Sequence, residues 1–527
     1  MRNTGHRRGE RGGRPKRPKG ERRRRDGRGR GAKAGAKTPF PTISPPPVEL
    51  QRVDEFCWEI PRQGGMRVPG RIFASDELIA DIESDASTQQ VANVACLPGI
   101  VGFSLAMPDI HWGYGFPIGG VAATDPAAGG VISPGGVGYD INCGVRVLSS
   151  NLRRADVEGR IAELMDALFQ AVPTGVGSSN AIKALSVPEM RKLLAGGARY
   201  AVEERGMGER GDLPHTEENG CLEGADPDAV SERAIDRGRR QVGTLGSGNH
   251  FLEVGYTDEV YMPEQAAALG VEEGTVCVLI HCGSRGLGYQ VCDDFLGVMH
   301  RAVVKYGIEL PDRQLCCAPV DSDEGRAYLG AMAAAANYAW ANRQTITHLA
   351  RDCFMRVLGM GPDDLGMRLI YDVCHNVAKF EEHEVDGVSR RLCVHRKGAT
   401  RAFPAGDPRI PESLRDIGQP VLVPGDMGRY SYVLVGAEGA MRRTFGSTCH
   451  GAGRVMSRAR AKRESQGRDL FGEMRERGVV VRAAGKRTVA EEMPYAYKDV
   501  AEVVDVMAGA GVSDKVFRLR PMGVIKG

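Results

Sequence analysis

At 527 residues, with 42% hydrophobic and 26% charged positions, the chain can bury one large core or two to three smaller ones without covalent staples. Its 13 cysteines show no CxxC pair and one adjacent pair, Cys316 and Cys317, which excludes a zinc ribbon or a legible disulfide framework and fits a reducing, cytoplasmic setting. The net charge of +3 hides an asymmetry, since residues 1–40 hold 16 Lys or Arg against 3 Asp or Glu, and no apolar run is long enough for a membrane span or a secretory signal, so a protein with no membrane partner is expected.

In chain order, the first predicted element is an arm over residues 1–47, rich in Arg, Gly, Lys and Pro, with an unbroken basic run from Arg22 to Arg25. Such a segment cannot bury enough apolar surface to offset its ordering entropy, so it reads as disordered. Its useful property is attraction to phosphate backbones through counterion release; a solvated tail is the plainer reading, and a targeting peptide lacks its amphipathic period. The body, residues 55–527, alternates short apolar runs with helical patterns and contains no second linker, which predicts one elaborated domain of mixed α/β (α+β) class. Helices are predicted over Ala155–Val172, Pro227–Val242, Tyr289–Tyr306 and the alanine-rich Glu324–Leu358, and buried strands over Val276–His281 and Met367–Val373. The acidic stretch Glu203–Glu232 reads as a surface excursion that ends at a helix start.

Five segments share one format, an apolar or glycine-rich approach that delivers a His, Cys or Asp. In Gly135–Gly144, Asp140 and Cys143 lie three apart, so a carboxylate and a thiolate can share a divalent metal, although a lone cysteine is more often a small buried hydrophobe. The second, Gly243–Glu253, has glycines but neither the third glycine nor the preceding strand of a dinucleotide loop; it offers His250 beside Asn249, Phe251 and Glu253, an imidazole next to groups able to read a base or ribose. The Val276–Ile280 run ends in His281 and Arg285, a ligand imidazole and a fork for phosphate. Tyr371–Asn376 delivers His375 in the same way. Three histidines, one cysteine and one aspartate suffice for two metal ions, but spacing leaves zinc, iron and manganese open. Last, Gly446–Arg454 holds His450 between glycines, ahead of a predicted basic helix over Val455–Arg463; an open imidazole there can attack phosphorus, with Arg454 near the negative oxygens. No GxxxxGK[ST] or KxDG run occurs, so any nucleotide activation falls to histidine.

Taken together with Met107–His111, Gly115–Gly120, Val394–Arg401 and the closing Arg518–Gly527, these segments resemble the RtcB family of RNA-splicing ligases, from about Glu55 to the last residue. The resemblance implies a GTP- and manganese-dependent ligase that joins an RNA 3′-phosphate or 2′,3′-cyclic phosphate to a 5′-hydroxyl in tRNA processing or RNA repair. It implies two Mn²⁺ ions on Asp140, Cys143, His250, His281 and His375, with Cys143 bridging, and His450 as the residue that receives GMP. It places Asn249, Phe251, Glu253, Ser431, Arg454, Tyr497 and Lys526 around the nucleotide, and admits an activator of the archease type as a partner. Alternatives are an end-capping or specialised repair variant, and a catalytically quiet RNA-binding metalloprotein. The sequence departs from the family pattern at Asp426 and Arg429, where a small hydroxyl residue and a threonine are usual. A carboxylate beside a triphosphate repels it unless compensated, so serine at 426 is expected to tighten GTP use.

Overall fold

The computed structural model describes residues 40–527; the predicted arm lies outside the described residues except for residues 40–47. Those eight residues sit on the body: Ile43 N–H donates to the Leu310 carbonyl at 3.2 Å, and the Pro46 and Pro47 carbonyls accept from Gln89 and Gln63. Composition shifts at Pro47, but the chain is already docked from Phe40, because Phe40 packs edge-on to His300 and beneath the Arg313 guanidinium.

Two large sheets organise the domain. A seven-stranded sheet runs in the order Gln51–Asp54, Cys57–Ile60, Gly70–Phe73, Ile100–His111, Ile118–Thr124, Val388–Lys397, Asn376–Val385. The second runs Arg368–Cys374, Gly144–Arg153, Thr275–Cys282, Phe251–Val260, Ser513–Lys526, Ser431–Gly436, Pro420–Val423, with Val480–Ala483 added in parallel to Ser513–Lys526. The other pairings within this second sheet are antiparallel. Thr275–Cys282, predicted from its unbroken apolar run, is its third strand and is buried throughout, as a strand covered on both faces must be.

Asp323–Leu358 forms one 36-residue helix that matches the alanine-rich prediction. Ser322 caps its start by accepting from Gly325 N–H, and Gly359 ends it in the left-handed region at φ 70°. Its alanines keep both flanks thin enough to be covered, so most of the helix is buried. Other predicted helices break where caps compete with periodicity. Ala155–Val172 divides at Gly159 into Arg154–Glu158 and Ile161–Ala171, and Pro227–Val242 shortens to Glu232–Gly238 because Ser231 accepts from Ala234 N–H. Tyr289–Tyr306 belongs to a longer helix, Arg285–Lys305. Glu203–Glu232 ends at a helix start as expected, but it is not wholly superficial: Asp212 and Glu217 are buried against Arg351 and Lys379. All 13 cysteines are free thiols, and among the described residues no helix is long and apolar enough to cross a membrane.

Candidate metal centre and nucleotide cavity

Antiparallel strand order brings scattered motifs to one rim. Arg368–Cys374 ends just before His375, Gly144–Arg153 begins just after Cys143, Thr275–Cys282 contains His281 near its end, Phe251–Val260 begins just after His250, and Ser513–Lys526 ends at Lys526. Neighbouring strands run in opposite senses, so these alternating starts and ends share one edge of the sheet. The register fixes it: Cys374 pairs with Gly144, Gly144 with Cys282, His281 with Phe251, and Phe251 with Lys526.

At that rim Cys143 Sγ lies 3.4 Å from His250 Nε2 and 3.2 Å from His281 Nε2, while His281 Nε2 is 3.3 Å from His375 Nε2 and His250 Nε2 is 2.7 Å from Asp140 Oδ2. Two donor triads result, Cys143–His281–His375 and Asp140–Cys143–His250, and Cys143 belongs to both. Ligand bonds of about 2.0–2.3 Å set donors roughly 3–4 Å apart, so the spacing fits divalent cations. The electrostatics agree. Burial first, and then the other titratable groups crowded around them, hold His281 and His375 well below the usual imidazole range, leaving them neutral with lone pairs free. Burial, aided by Asp140, pushes the Cys143 thiol up to about 12, so only a bound cation makes it a thiolate at neutral pH. Asp140 is pushed up by burial but brought down to about 2, chiefly by the His250 ring.

Supports behind the rim hold the donors in place. His250 Nδ1 is 2.9 Å from the Leu245 carbonyl, which turns Nε2 toward the cluster. Arg343, buried in the long helix, donates to the Asn142 and Cys282 carbonyls at 2.8 Å and pairs with Asp372, so one guanidinium ties three ligand-bearing segments together. A Cβ at Gly283 would overlap the Asp140 carboxylate, which is why glycine follows His281–Cys282. Arg285, read from the sequence as a fork for phosphate, does not line the cavity; its guanidinium sits 3.2 Å from His250 Nδ1, over Gly246.

His450 lines the same cavity of about 810 Å³ as Asp140, Cys143, His281 and His375, and its ring meets that of His375 edge-on, with centroids 4.8 Å apart. It follows the short strand Ser447–Cys449. Asp109, fully buried on Ile100–His111 of the seven-stranded sheet, accepts through Oδ2 from His450 Nδ1 at 2.5 Å, His450 N–H at 3.0 Å and Gly451 N–H at 3.2 Å. With Nδ1 committed to a carboxylate, the neutral ring carries its proton there and presents the Nε2 lone pair. Gly453, at φ 72°, permits this approach, since a Cβ would lie 2.5 Å from the Asp109 carbonyl oxygen.

Asn249, Phe251, Glu253, Ser431, Arg454, Tyr497 and Lys526 all line the same cavity. Glu492, which sequence reasoning missed, is their hub: fully buried, it meets Arg454 at 3.3 Å, Arg458 at 3.5 Å, Lys526 at 3.5 Å and the Tyr497 hydroxyl. Lys526 Nζ also donates to the Asn249 carbonyl at 3.0 Å, so the chain end is tied into the site. Burial pushes Glu253 up to about 8 against the pull of Lys526, and its Oε1 has no partner.

A family model described as tRNA-splicing ligase RtcB matches residues 90–527. The chain belongs to the RtcB family. Similar proteins include the tRNA-splicing ligase RtcB of Archaeoglobus fulgidus, 58% identical over 91% of this chain and 99% of the relative, and that of Thermococcus kodakarensis, 56% identical over the same shares. The RNA-splicing ligase RtcB of Mycobacterium tuberculosis is 52% identical over 83% of this chain and all of its own length.

Within this RtcB chain, Asp426 and Arg429 form an ion pair, and Asp426 is almost fully buried. Arg429 also reaches Asp499 at 3.2 Å and the Lys498 carbonyl at 3.1 Å, pinning the segment that carries Tyr497. Arg429 therefore compensates the carboxylate, the condition under which its repulsion of a triphosphate is relieved. Asp426→Ser alone should destabilise by about 1–3 kcal/mol, because it leaves Arg429 without its partner, whereas Asp426→Ser with Arg429→Thr should recover at least half. Thermal unfolding of the three proteins checks this; equal losses in both variants would mean that the pair is not a unit.

Three contributors, Glu492 among them, were not singled out from sequence. Asp109 lies in the quoted Met107–His111 motif, and its signal was a carboxylate two residues from a histidine. For Arg343 it was an arginine inside an apolar alanine run. Glu492 offered none beyond its neighbour Glu491.

Proposed function

We propose that the chain is an RNA ligase that uses GTP to join an RNA 3′-phosphate or 2′,3′-cyclic phosphate end to a 5′-hydroxyl, through GMP carried on His450. The observation that carries this reading is the His450–Asp109 pair, which leaves a half-buried imidazole with Nε2 uncommitted in the cavity that also holds the donor cluster and Arg454, Arg458 and Lys526. Asp140, Cys143, His250, His281 and His375 would hold two Mn²⁺ ions, whose chemistry is to neutralise charge on phosphoryl oxygens and the departing pyrophosphate.

In the first step His450 Nε2 bonds to the GTP α-phosphorus as the bond to pyrophosphate breaks, while Asp109 stabilises the positive charge on the ring. An oxygen of the RNA 3′-phosphate then takes the GMP, and the N–P electrons return to Nε2. Last, the 5′-hydroxyl oxygen attacks the activated 3′-phosphate, loses its proton, and GMP leaves. A cyclic end must first be opened by water. Arg454, Arg458 and Lys526 supply positive charge to the nucleotide phosphates, and Tyr497 and Phe251 supply apolar walls.

Glu253 reads guanine in this scheme, because a carboxylate accepts from both N1–H and the 2-amino group, donors that adenine does not offer together. It is protonated below about pH 8, so guanosine affinity should rise from about pH 6 to 8, by up to tenfold per unit, and then level off. Glu253→Gln should lose both the slope and the preference for guanosine over adenosine. A flat profile in the unsubstituted protein would remove Glu253 from base reading.

The direct test incubates the protein with α-labelled GTP and Mn²⁺, then with one RNA strand ending in 3′-phosphate and another beginning with 5′-hydroxyl. Acid-labile label on the chain and a joined product are expected. No adduct would leave an RNA-binding metalloprotein, and an adduct with capped but unjoined ends would make it an end-modifying enzyme.

A further inference from the structure

The rim of the cavity carries aromatic surface that the chemistry above does not use. Trp112 lines the cavity that holds His450, yet is 58% exposed, whereas Trp340 is fully buried and Trp58, the remaining tryptophan, is partly buried. Leaving an indole in water forfeits its apolar burial, so its placement needs a reason.

The loop that carries it is built, not loose. Trp112 N–H donates to Asp85 Oδ2 at 3.0 Å, and Gly113 N–H donates to Gln90 Oε1 at 3.0 Å. Buried Gln90 returns through Nε2 to the Gly113 and Gly115 carbonyls at 2.7 and 3.1 Å, Gly115 N–H donates to Gln314 Oε1 at 2.9 Å, and buried Lys397 donates to the Phe116 carbonyl at 3.1 Å. Side chains from three other parts of the chain thus hold this turn with its indole outward.

A second aromatic edge continues from the metal ligands. Tyr139, next to Asp140, meets Tyr114 edge-on at 5.6 Å and stacks on Tyr289 at 4.8 Å. Tyr289 is 47% exposed, with the Arg237 guanidinium 5.3 Å from its ring centroid. Rigid aromatic faces beside a cavity that presents Arg454, Arg458 and Lys526 are what single-stranded nucleic acid needs, because every base has a π-face and stacks whatever its identity. The Asp85 carboxylate at the foot of Trp112 disfavours a phosphate there and leaves the base as the group that stacks.

We propose that Trp112 and Tyr289 are stacking platforms for unpaired nucleobases adjacent to the RNA ends that are joined. This rests on the ligase reading for the identity of the ligand, and its test is separable from that reading. The full chain is titrated, without GTP or metal, with a short single-stranded RNA ending in 3′-phosphate, following both tryptophan fluorescence and the anisotropy of a labelled RNA. Base stacking on Trp112 should quench emission in the unsubstituted protein, and Trp112→Phe should lose the quenching while retaining most of the affinity. Trp112→Ala and Tyr289→Ala should each weaken binding by roughly five- to a hundred-fold. Quenching that persists in Trp112→Phe, or unchanged affinity in both alanine variants, would overturn the proposal. Labelling of His450 by GTP is scored separately, so loss of one result leaves the other readable.

Discussion

His450→Ala should carry no GMP and join no ends, and Asp109→Asn should retain the fold while slowing formation of the GMP adduct by about 10²- to 10⁴-fold. The first effect would follow from the loss of the proposed nucleophile. The second follows from a single oxygen, Asp109 Oδ2, which accepts from the ring Nδ1 and from two backbone N–H groups. Asparagine can still satisfy the backbone donors with its carbonyl oxygen, but it cannot stabilise a cationic ring or enforce the tautomer that frees Nε2. Single-turnover rates with labelled GTP, read beside thermal unfolding, separate this from misfolding. An Asp109→Asn protein that labels at the unsubstituted rate would assign tautomer control to some other group.

Cys143→Ala should lower Mn²⁺ affinity by more than about 100-fold, a larger loss than replacing a group outside the donor set, because both donor triads use the same sulfur. Affinity in the unsubstituted protein should rise with pH. The sign follows from the protonated forms: the Cys143 thiol, pushed up to about 12 by burial and Asp140, must lose its proton to bind. His250, raised despite burial by the thiols and carboxylate around it, must do the same. Calorimetry in buffers of different ionisation enthalpy counts the protons released, and Cys143→Ala should release fewer. Metal binding that is independent of pH, or unchanged in Cys143→Ala, would remove the sulfur from the site.

Local pattern carried some elements further than others. The buried strand at Val276–His281 and the helix over Glu324–Leu358 were legible because an unbroken apolar run and an alanine-rich period each specify one kind of packing. The predicted helices that split did so at Gly159 and Ser231, where a cap competes with the period and wins. Glu203–Glu232 looked superficial because acidic residues usually are; Asp212 and Glu217 go inside because Arg351 and Lys379 meet them there, and no local window contains those partners.

The sequence by itself determined the chemical repertoire: a cysteine, three histidines and an aspartate in ligand-like segments, and a histidine set between glycines; Lys526 entered only through the family resemblance. It also determined the element types that deliver them. Only the tertiary structure decided that five strand ends share one rim, that Asp109 reaches His450 from 341 positions away, that Glu492 gathers three cations, and that Arg285 stands behind His250 instead of in the cavity. The reason is physical. Periodicity reports which face of an element is buried, whereas strand order and register, set by packing across the whole core, decide which ends become neighbours.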